Sequence, residues 1–385
     1  MSELSLLLLN GLWALAALMF LLPVAVTYFY RQQLEPTEVK DGQRCPTVSV
    51  IIPARNEAHN IGQALQAVTQ LDYPKTQVEV IVVDDRSSDR TAAIVRDFMI
   101  EHEEISLLDA PPLEADWTGK ANACHFGAEQ AQGEWLVFLD ADTYVRPALL
   151  ASAVDYAAAN RIGLLSLIPF QIAASFQERI ALPLIFLAFA SVIDFRRVND
   201  PADTQAVANG QFLLFSRDAY RRIGGHQAVR SELSDDLAFA RRAKALGVGF
   251  RCLFADRLVE TRMYRSLAEV WRGFSRNAVE IMRIDTLSQL LLQSARSLLL
   301  AGGLLLLPAM TLLSEAGPGV QVMAGGTALA LITTFWLTLR ELRIPSYYLL
   351  AAPFGLALHG LLLLNAYRQK QRGTRAWKGR SYSSF

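Results

Sequence analysis

The chain has 385 residues, of which 52% are hydrophobic and only 19% are charged, against about 25% charged residues in an average soluble domain. Its 37 basic and 37 acidic residues cancel, which argues against a nucleic-acid-binding protein, because such proteins carry a basic surplus. Its three cysteines are far apart in the sequence, which excludes a disulfide scaffold and a zinc knuckle.

The N-terminal segment, residues 1–31, is predicted to be a membrane anchor. No charged residue lies between Leu4 and Tyr30, and about 20 apolar residues suffice to span a bilayer as a helix. The alternative is a cleaved signal peptide, which would have a basic N-terminal region, whereas the first charged residue here is Glu3. Arg31 follows the apolar run and, by the positive-inside rule, predicts that the next domain is cytoplasmic.

Residues 40–266 alternate between strand-like and helix-like patterns and are predicted to form one α/β domain. Short apolar or β-branched runs predict four buried strands: Thr47–Ile52, Val78–Val83, Ile105–Leu108 and Trp135–Leu139. Helical patterns run from Ile61 to Gln70 and from about Lys120. This alternation predicts a doubly wound, mostly parallel sheet, and such sheets bind ligands at the carboxyl ends of their strands.

Charged side chains follow three of the predicted strands. They are Arg55 and Glu57, Asp84 and Asp85, and Asp140 and Asp142. Asp140 and Asp142, with one small residue between them, offer hard oxygen ligands that suit Mg²⁺ or Mn²⁺ together with substrate phosphates. A solvated acidic turn is the alternative, but the acidic strand end upstream favours a metal–diphosphate site. Asp85 is placed to accept hydrogen bonds from a nucleobase or ribose.

Two further charged positions are candidates for the chemistry. Lys120 stands at the start of a predicted helix, where a helix N-terminus and an ammonium group suit an anionic phosphate; an ordinary surface lysine is the alternative. Asp235 and Asp236 precede an amphipathic helix, and Ser234 or Asp235 could simply cap it. A second acid exceeds what a cap needs, so Asp236 is a candidate general base, with Asp235 in support.

The C-terminal part is predicted to contain an amphipathic region, a membrane region and a tail. Residues 267–294 include a basic amphipathic helix that could lie in the membrane interface or pack on the α/β domain. Residues 295–367 hold three uncharged stretches, each long enough to span: Ser297–Ser314, Ala316–Leu339 and Ile344–Tyr367. Because these stretches contain no Asp, Glu, Lys or Arg, an ion-transporting function is disfavoured.

The side of the C-terminal tail is less straightforward. Residues 368–385 carry six basic residues and no acidic residue, which predicts a cytoplasmic tail. Four spans beginning from an outside N-terminus would instead place the tail outside the cell. Either one apolar stretch is re-entrant or the tail departs from the rule, and we expect the cytoplasmic placement.

Taken together, these residues resemble the family 2 glycosyltransferases, which have a GT-A fold. The resemblance spans Thr47 to Asn277 and rests on VSVIIPARNE (Val48 to Glu57), VVDDRSSDRT (Val82 to Thr91) and FLDAD (Phe138 to Asp142). It implies that Asp85 contacts the nucleobase, that Asp140 and Asp142 serve the nucleotide and a divalent metal, and that Asp236 is the base. The residues expected to bind the nucleotide sugar are Pro53, Arg55, Glu57, Asp85, Lys120 and Asp140.

Within that family the chain is similar to the membrane-bound enzymes associated with hopanoid and carotenoid glycosylation. The similarity is carried by WTGK (Trp117 to Lys120), ANGQFLL (Ala208 to Leu214), GGHQAVRSELSDD (Gly224 to Asp236), TRMYRS (Thr261 to Ser266) and WKGR (Trp377 to Arg380). The residues expected on the acceptor side or at the interface are Asn209, Gly210, Trp271 and Arg272. The Gln-x-x-Arg-Trp motif of the processive synthases is replaced by Val270-Trp271-Arg272-Gly273, which argues against a polymerase.

The resemblance implies an inverting, metal-dependent transferase that uses Mg²⁺ or Mn²⁺. It would move a sugar from a nucleotide sugar, with UDP the commoner nucleotide in the family, to a carotenoid, hopanoid or other lipid with a hydroxyl or carboxyl group. Its partners would be the donor, the lipid acceptor and the bilayer, and it would be a multi-pass protein of the cell (inner) membrane with a cytoplasmic catalytic domain. Two alternatives stay open: a polyprenyl-phosphate glycosyltransferase, for which Arg262, Arg265 and Arg272 could supply cationic groups, and a catalytically silent membrane scaffold.

Overall fold

A computed structural model describes residues 3–39, 44–264, 266–282, 284, 286–313, 317–371, 374–377 and 380–383. The chain divides into two compact units. The α/β unit comprises Arg31–Gln171 and Phe195–Met263, and the helical unit comprises Met1–Tyr30, Ile172–Asp194 and Tyr264–Phe385.

The helices and strands are numbered in chain order. The helices are α1 Glu3–Tyr30, α2 Ile61–Thr69, α3 Thr91–Glu101, α4 Gly119–Gln130, α5 Leu149–Ala159, α6 Phe176–Ala190, α7 Phe195–Asn199, α8 Arg217–Ile223, α9 Asp235–Ala245, α10 Leu267–Ile281, α11 Leu287–Leu313, α12 Pro318–Glu341 and α13 Ala352–Gln371. The strands are β1 Val48–Ala54, β2 Val78–Asp84, β3 Ile105–Asp109, β4 Trp135–Leu139, β5 Thr143–Val145, β6 Leu164–Ile168, β7 Phe170–Gln171, β8 Phe212–Ser216, β9 Phe250–Phe254, β10 Val259–Thr261, β11 Thr374–Trp377 and β12 Arg380–Ser383.

A seven-stranded mixed sheet forms the centre of the α/β unit. Its strand order is β3-β2-β1-β4-β8-β6-β9. All neighbouring strands are parallel except β8, which is antiparallel to both β4 and β6. Each of the four predicted strands begins within one residue of its predicted position. The mostly parallel α/β sheet is therefore confirmed, and the carboxyl ends of β1, β2 and β4 meet at one edge, because parallel neighbours point the same way.

A second, three-stranded sheet has the order β5-β10-β7. Thr143 of β5 pairs with Thr261 of β10 in antiparallel register, and Thr261 pairs with Gln171 of β7 in parallel register. Since β5 follows β4 after only three residues, this small sheet fixes the chain just beyond the carboxyl end of β4.

The close packing of α4 on the seven-stranded sheet can be tested by a substitution at Gly127. A Cβ at Gly127 would lie 2.7 Å from Ile51 Cγ2 and 3.0 Å from Val83 Cγ2. We expect Gly127→Ala to destabilise the protein by about 1–3 kcal/mol, because overpacking displaces core side chains. Gly62→Ala in α2 is the control, because its Cβ would meet Ile94 Cγ2 at 3.5 Å, an ordinary contact. Alanine is also more favourable than glycine in a helix by about 1 kcal/mol, so this variant should not be destabilised. Thermal unfolding that is equal for the two variants would contradict the packing.

Among the residues that the structure describes, the helical unit contains four helices that are long and apolar enough to cross a membrane. Their apolar spans are Leu4–Tyr30, Leu287–Leu307, Pro318–Glu341 and Ser346–Gln371. Phe20 of α1, Leu300 of α11 and Phe335 of α12 pack in one buried cluster, while large apolar side chains such as Leu8 and Leu329 are about two thirds exposed. The prediction of one N-terminal and three C-terminal apolar helices is therefore confirmed.

Two details of the helical unit differ from the sequence-based expectation. The segment Ile172–Asp194 groups with the apolar helices, although the predicted α/β domain, residues 40–266, included it. The reason is that Leu184 and Leu187 of α6 are buried in the same cluster as Phe20 and Phe335.

The second difference concerns the start of the first C-terminal span. Helix α11 begins at Leu287, ten residues before the predicted Ser297, because Thr286 caps it by accepting a hydrogen bond from the Gln289 N–H at 3.2 Å. The predicted stretch from Ser297 is uncharged, but the apolar span that the structure gives, Leu287–Leu307, also includes Arg296.

Candidate active site

The centre of the candidate site is an ion pair at the carboxyl end of β4. Lys120 lies in the first turn of α4, whose N-cap Thr118 accepts a hydrogen bond from the Ala121 N–H at 3.2 Å. The Lys120 Nζ lies 2.7 Å from Oδ1 of Asp140, the residue that follows β4, and both side chains are partly exposed. Lys120 also donates to the Gly210 carbonyl at 3.3 Å. Burial alone would lower the pKa of Lys120, but the carboxylates of Asp140 and Asp235 raise it above its ordinary value, so the side chain stays cationic.

Gly210 connects this ion pair to Asp236. Its backbone N–H donates to Asp236 Oδ2 at 2.9 Å, while Asp236 Oδ1 accepts a hydrogen bond from the Leu237 N–H at 2.8 Å. A Cβ at Gly210 would lie 3.3 Å from Lys120 Nζ and 3.4 Å from Asp236 Oδ2. The absence of a side chain therefore lets the lysine and the aspartate approach the backbone of the same residue, one at its C=O and the other at its N–H. The structure thus brings together Lys120, Asp140, Gly210 and Asp236, which are far apart in the sequence.

The electrostatic setting of the two adjacent acids differs from that of exposed carboxylates. Burial, followed by the nearby charge of Asp235, raises the pKa of Asp236 to about 6. Burial also raises the pKa of Asp235, whose Oδ1 accepts the Asp236 N–H at 3.0 Å. Ser234 occupies the N-cap position of α9 without a side-chain capping bond. A carboxylate with a pKa near the working pH is suited to general base catalysis.

Sequence analysis missed the residues that hold the turn after β4. Gln211 accepts the Asp140 N–H through its carbonyl oxygen at 3.2 Å, and its side-chain amide donates to Thr261 Oγ1 at 2.9 Å. Thr261 in turn donates to the Asp142 carbonyl at 3.1 Å. Both residues fall inside segments that carried the narrower resemblance, but no spacing rule connects positions 142, 211 and 261. They fix the backbone from which the two carboxylates project.

A second unpredicted contact lies behind Asp235. His226 is 1% exposed; its Nδ1 lies 2.8 Å from the Tyr220 hydroxyl, and its Nε2 lies 3.9 Å from Asp235 Oδ2. Burial, followed by the charge of Lys120, lowers the pKa of His226 well below its ordinary value. The imidazole is therefore a neutral, enclosed neighbour of the acid pair.

The carboxyl ends of β1 and β2 form the other half of the candidate site. Arg55 Nη1 donates to the Asp85 carbonyl at 2.6 Å and lies 3.8 Å from its Oδ2. Glu57 accepts a hydrogen bond from the Asn60 side chain at 2.9 Å and its backbone N–H donates to Thr91 at 2.8 Å, so it organises the turn into α2. Arg55 and Asp85 are therefore brought together as the sequence suggested.

The remaining predicted residues are more scattered. Pro53 lies within β1. Asn209 accepts the Gln211 N–H and donates its own N–H to Ser166, which holds the loop before Gly210. Trp271 lies on α10 of the helical unit, and the structure describes the backbone of Arg272 there but not its side chain. Arg265 lies outside the described residues.

The residues present fit a divalent cation that arrives with a phosphorylated ligand. Within the described ranges, no group of three or more His, Cys, Asp or Glu side chains could hold a metal ion by itself. Asp140 and Asp142 supply two carboxylates, and Mg²⁺ commonly binds through one or two carboxylates plus substrate phosphates and water. The donor set therefore matches a shared metal–phosphate site rather than a closed protein cage.

Comparison with known proteins gives the family. Residues 49–224 match the family model described as Glycosyl transferase family 2. A 4,4'-diaponeurosporenoate glycosyltransferase from Staphylococcus aureus is 27% identical over 253 residues, which cover 64% of this chain and 65%, slightly less than two thirds, of that relative. The solved mannosyltransferase PcManGT from Pyrobaculum calidifontis, in complex with GDP-Man and Mn²⁺, superposes with a TM-score of 0.53 at 19% identity, over 96% of this chain and 98% of that one. Residues 49–224 therefore match glycosyl transferase family 2, and the α/β unit, which contains most of them, has the GT-A fold.

Proposed function

We propose that this protein transfers a sugar, with inversion at the anomeric carbon, from a nucleotide sugar to a hydroxyl or carboxyl group of a membrane lipid. The observation that carries the proposal is the meeting of Lys120, Asp140, Gly210 and Asp236 at the carboxyl edge of the sheet. That edge is where α/β sheets bind their ligands. A cation, a metal-ligating carboxylate and a base candidate are the groups that nucleotide-sugar transfer requires.

The donor would be bound by charged groups at the ends of three strands. Arg55 donates to the Asp85 carbonyl and lies 3.8 Å from its carboxylate, and Asp85 would contact the nucleobase or ribose. Lys120, which stays protonated, would bind the diphosphate and stabilise its charge as it leaves the sugar. Glu57 holds the turn after β1, and Pro53 of β1 would lie beside the nucleotide.

Asp140 and Asp142 would hold Mg²⁺ or Mn²⁺ together with the diphosphate. The metal would neutralise the developing negative charge of the leaving group. The mannosyltransferase described above is in complex with GDP-Man and Mn²⁺, which supports a divalent cation for this fold. The choice between the two metals, and between UDP and GDP, is left to the experiment below.

Asp236 would activate the acceptor. Its carboxylate takes the proton of the acceptor O–H, and the oxygen forms a bond to the anomeric carbon from the face opposite the diphosphate. The bond between that carbon and the diphosphate oxygen breaks, and its electron pair leaves with the nucleotide. Asp235 holds the Asp236 backbone in place.

A lipid acceptor at a membrane is supported by two observations. Four helices are long and apolar enough to cross a bilayer, and a curated relative is named for glycosylation of 4,4'-diaponeurosporenoate. We propose that the protein lies in the cell membrane, with residues 1–31 as anchor and the α/β unit on the cytoplasmic side. Trp271 and Arg272 of the amphipathic region are proposed to lie at the bilayer surface.

The test incubates the detergent-purified chain with labelled UDP- and GDP-sugars and host lipid extract, with Mn²⁺, Mg²⁺ or EDTA. We expect label in the organic phase only in the presence of a divalent cation, with the label on a hydroxyl or carboxyl lipid. Label on a polyprenyl phosphate would assign the acceptor to the alternative class. An absence of both transfer and donor hydrolysis with every donor would overturn the proposal in favour of a silent scaffold.

A further inference from the structure

Arg296 is a charged residue deep within the helical unit. It lies ~14 Å along α11 from the first residue, Leu287, at 1.5 Å per residue. Its guanidinium carbon stands 5.5 Å from the ring centroid of Phe20, which lies ~15 Å from the end of α1 at Tyr30. With Leu287 and Tyr30 placed at the boundary of the bilayer, both helices would put Arg296 about halfway into a hydrocarbon layer that is about 30 Å thick.

The positive charge of Arg296 has no acidic partner in the described part of the chain. One guanidinium nitrogen, Nη2, donates to Ser191 Oγ at 3.2 Å, and Phe20 offers its ring face. The Nε is enclosed without a hydrogen-bond partner. Since arginine does not give up its proton, the guanidinium remains charged, and a buried charge without a counter-charge is costly.

A second enclosed polar atom lies on the same face of α11. Gln293 Oε1 has no hydrogen-bond partner, and Gln293 is three residues before Arg296 and therefore shares its helix face. Buried polar groups in proteins are almost always hydrogen-bonded, so the unpartnered N–H donor at Nε of Arg296 points to a missing acceptor. Arg296 itself is still partly exposed, so a ligand can reach the side chain.

The charge determines the kind of partner. A water molecule would satisfy hydrogen bonds but not the charge, and a neutral lipid would satisfy neither. A carboxylate or phosphate oxygen accepts from a guanidinium through strong, often bidentate, hydrogen bonds. The amide nitrogen of Gln293 could add a further donor to such an oxygen.

We propose that Ser191, Gln293 and Arg296, here called the Arg296 cluster, bind the carboxylate or phosphate group of a lipid. The inference deepens the proposed function, on which it rests for the presence of a bilayer, because it gives the helical unit selectivity for anionic lipids. The anion can belong to an acidic acceptor lipid or to a phospholipid of the bilayer. Both supply the same oxygen chemistry at the guanidinium.

The experiment measures thermal unfolding of the full chain in neutral detergent with oleate or with its methyl ester. We expect oleate to raise the unfolding temperature at a concentration at least about tenfold lower than the ester, because only the acid can pair with the charge. Arg296→Gln should abolish this difference, while Arg296→Lys, which keeps a cation, should retain part of it. Parallel titrations with phosphatidylglycerol and phosphatidylcholine show whether a phospholipid phosphate is also bound.

Arg340→Gln is the matched control. Arg340 also lies over an aromatic ring, 4.9 Å from the Trp336 centroid, but it is exposed, so its loss should leave the contrast between acid and ester unchanged. Equal responses of the wild-type protein to oleate and to the ester, or a full acid response in Arg296→Gln, would overturn the inference. If Arg296→Gln does not fold, the difference between oleate and the ester, measured in the wild-type protein and in Arg296→Lys, still tests the inference. No turnover is measured, so this failure is distinct from a failure of the transferase proposal.

Discussion

Asp236→Asn is expected to lower sugar transfer to the acceptor by about a hundred- to ten-thousandfold, the usual contribution of a general base. Asparagine keeps the shape of the side chain and one oxygen that can still accept a backbone N–H from Gly210 or Leu237. It has no proton affinity comparable to a carboxylate, so the acceptor oxygen would remain protonated. Single-turnover transfer to lipid and nucleotide affinity by calorimetry are the two measurements, and the affinity should stay within about twofold of wild type.

Asp218→Asn is the control for this variant. Asp218 also lies in the first turn of a helix, α8, but it is exposed. Its replacement should leave transfer and nucleotide affinity unchanged. If Asp236→Asn lost nucleotide affinity to the same extent as transfer, the residue would be structural and Asp236 would not be the base.

The same assignment predicts the pH dependence. Because burial and the charge of Asp235 raise the pKa of Asp236 to about 6, the base is ionised above that pH and protonated below it. Transfer should therefore fall about tenfold per pH unit as the pH drops below 6, and should level off above it. The profile is obtained from the single-turnover rate between pH 5 and 8. A rate that is flat down to pH 5 would contradict the role of Asp236.

A feature of the fold or of the site could be predicted when the residues that determine it lie close together in the sequence. The strands β1, β2 and β4 were predictable because each is a mostly apolar run that is followed by charged residues, and both features lie within ten residues of sequence. The contact of Lys120 with Gly210 joins residues 90 positions apart, so the sequence identified Lys120, Gly210 and Asp236 separately but not the contacts that both side chains make with Gly210. Gln211 and Thr261 act through backbone hydrogen bonds around Asp140 and Asp142, for which residue type alone gives no signal.

In the helical unit, hydrophobicity predicted the presence of a helix better than its first residue. An uncharged run predicted the existence of α11, but it excluded the first turns of the helix, because Arg296 interrupts it. Those turns also contain the polar residues Gln289 and Gln293. The structure shows that these polar residues continue the helix and that Arg296 packs against Phe20. A rule that ends a span at the first charge therefore removed the charged residue of greatest interest.

Asp140→Asn is expected to weaken nucleotide binding when a metal is present but not when it is absent. In wild type, Asp140 pairs with Lys120 at 2.7 Å, so without a metal this carboxylate both occupies the lysine and repels a diphosphate. With Mn²⁺ present, loss of the carboxylate should weaken binding of UDP or GDP by at least about tenfold, because one of two protein ligands is gone. In EDTA the same variant should bind the nucleotide at least as tightly as wild type, because Lys120 is released to the diphosphate.

Asp109→Asn separates this effect from a general change of charge at the edge of the sheet. Asp109 also ends a strand of the same sheet, β3, opposite Asp84, and it is exposed. Its replacement should leave nucleotide affinity unchanged both with Mn²⁺ and with EDTA. Calorimetric titrations of the three proteins in the two buffers give six affinities. If Asp140 both binds the metal and restrains Lys120, Asp140→Asn should lower the nucleotide affinity relative to wild type with Mn²⁺ but not with EDTA. Weaker binding of this variant in both buffers would instead make Asp140 a structural partner of Lys120, and the metal would have to be bound without it.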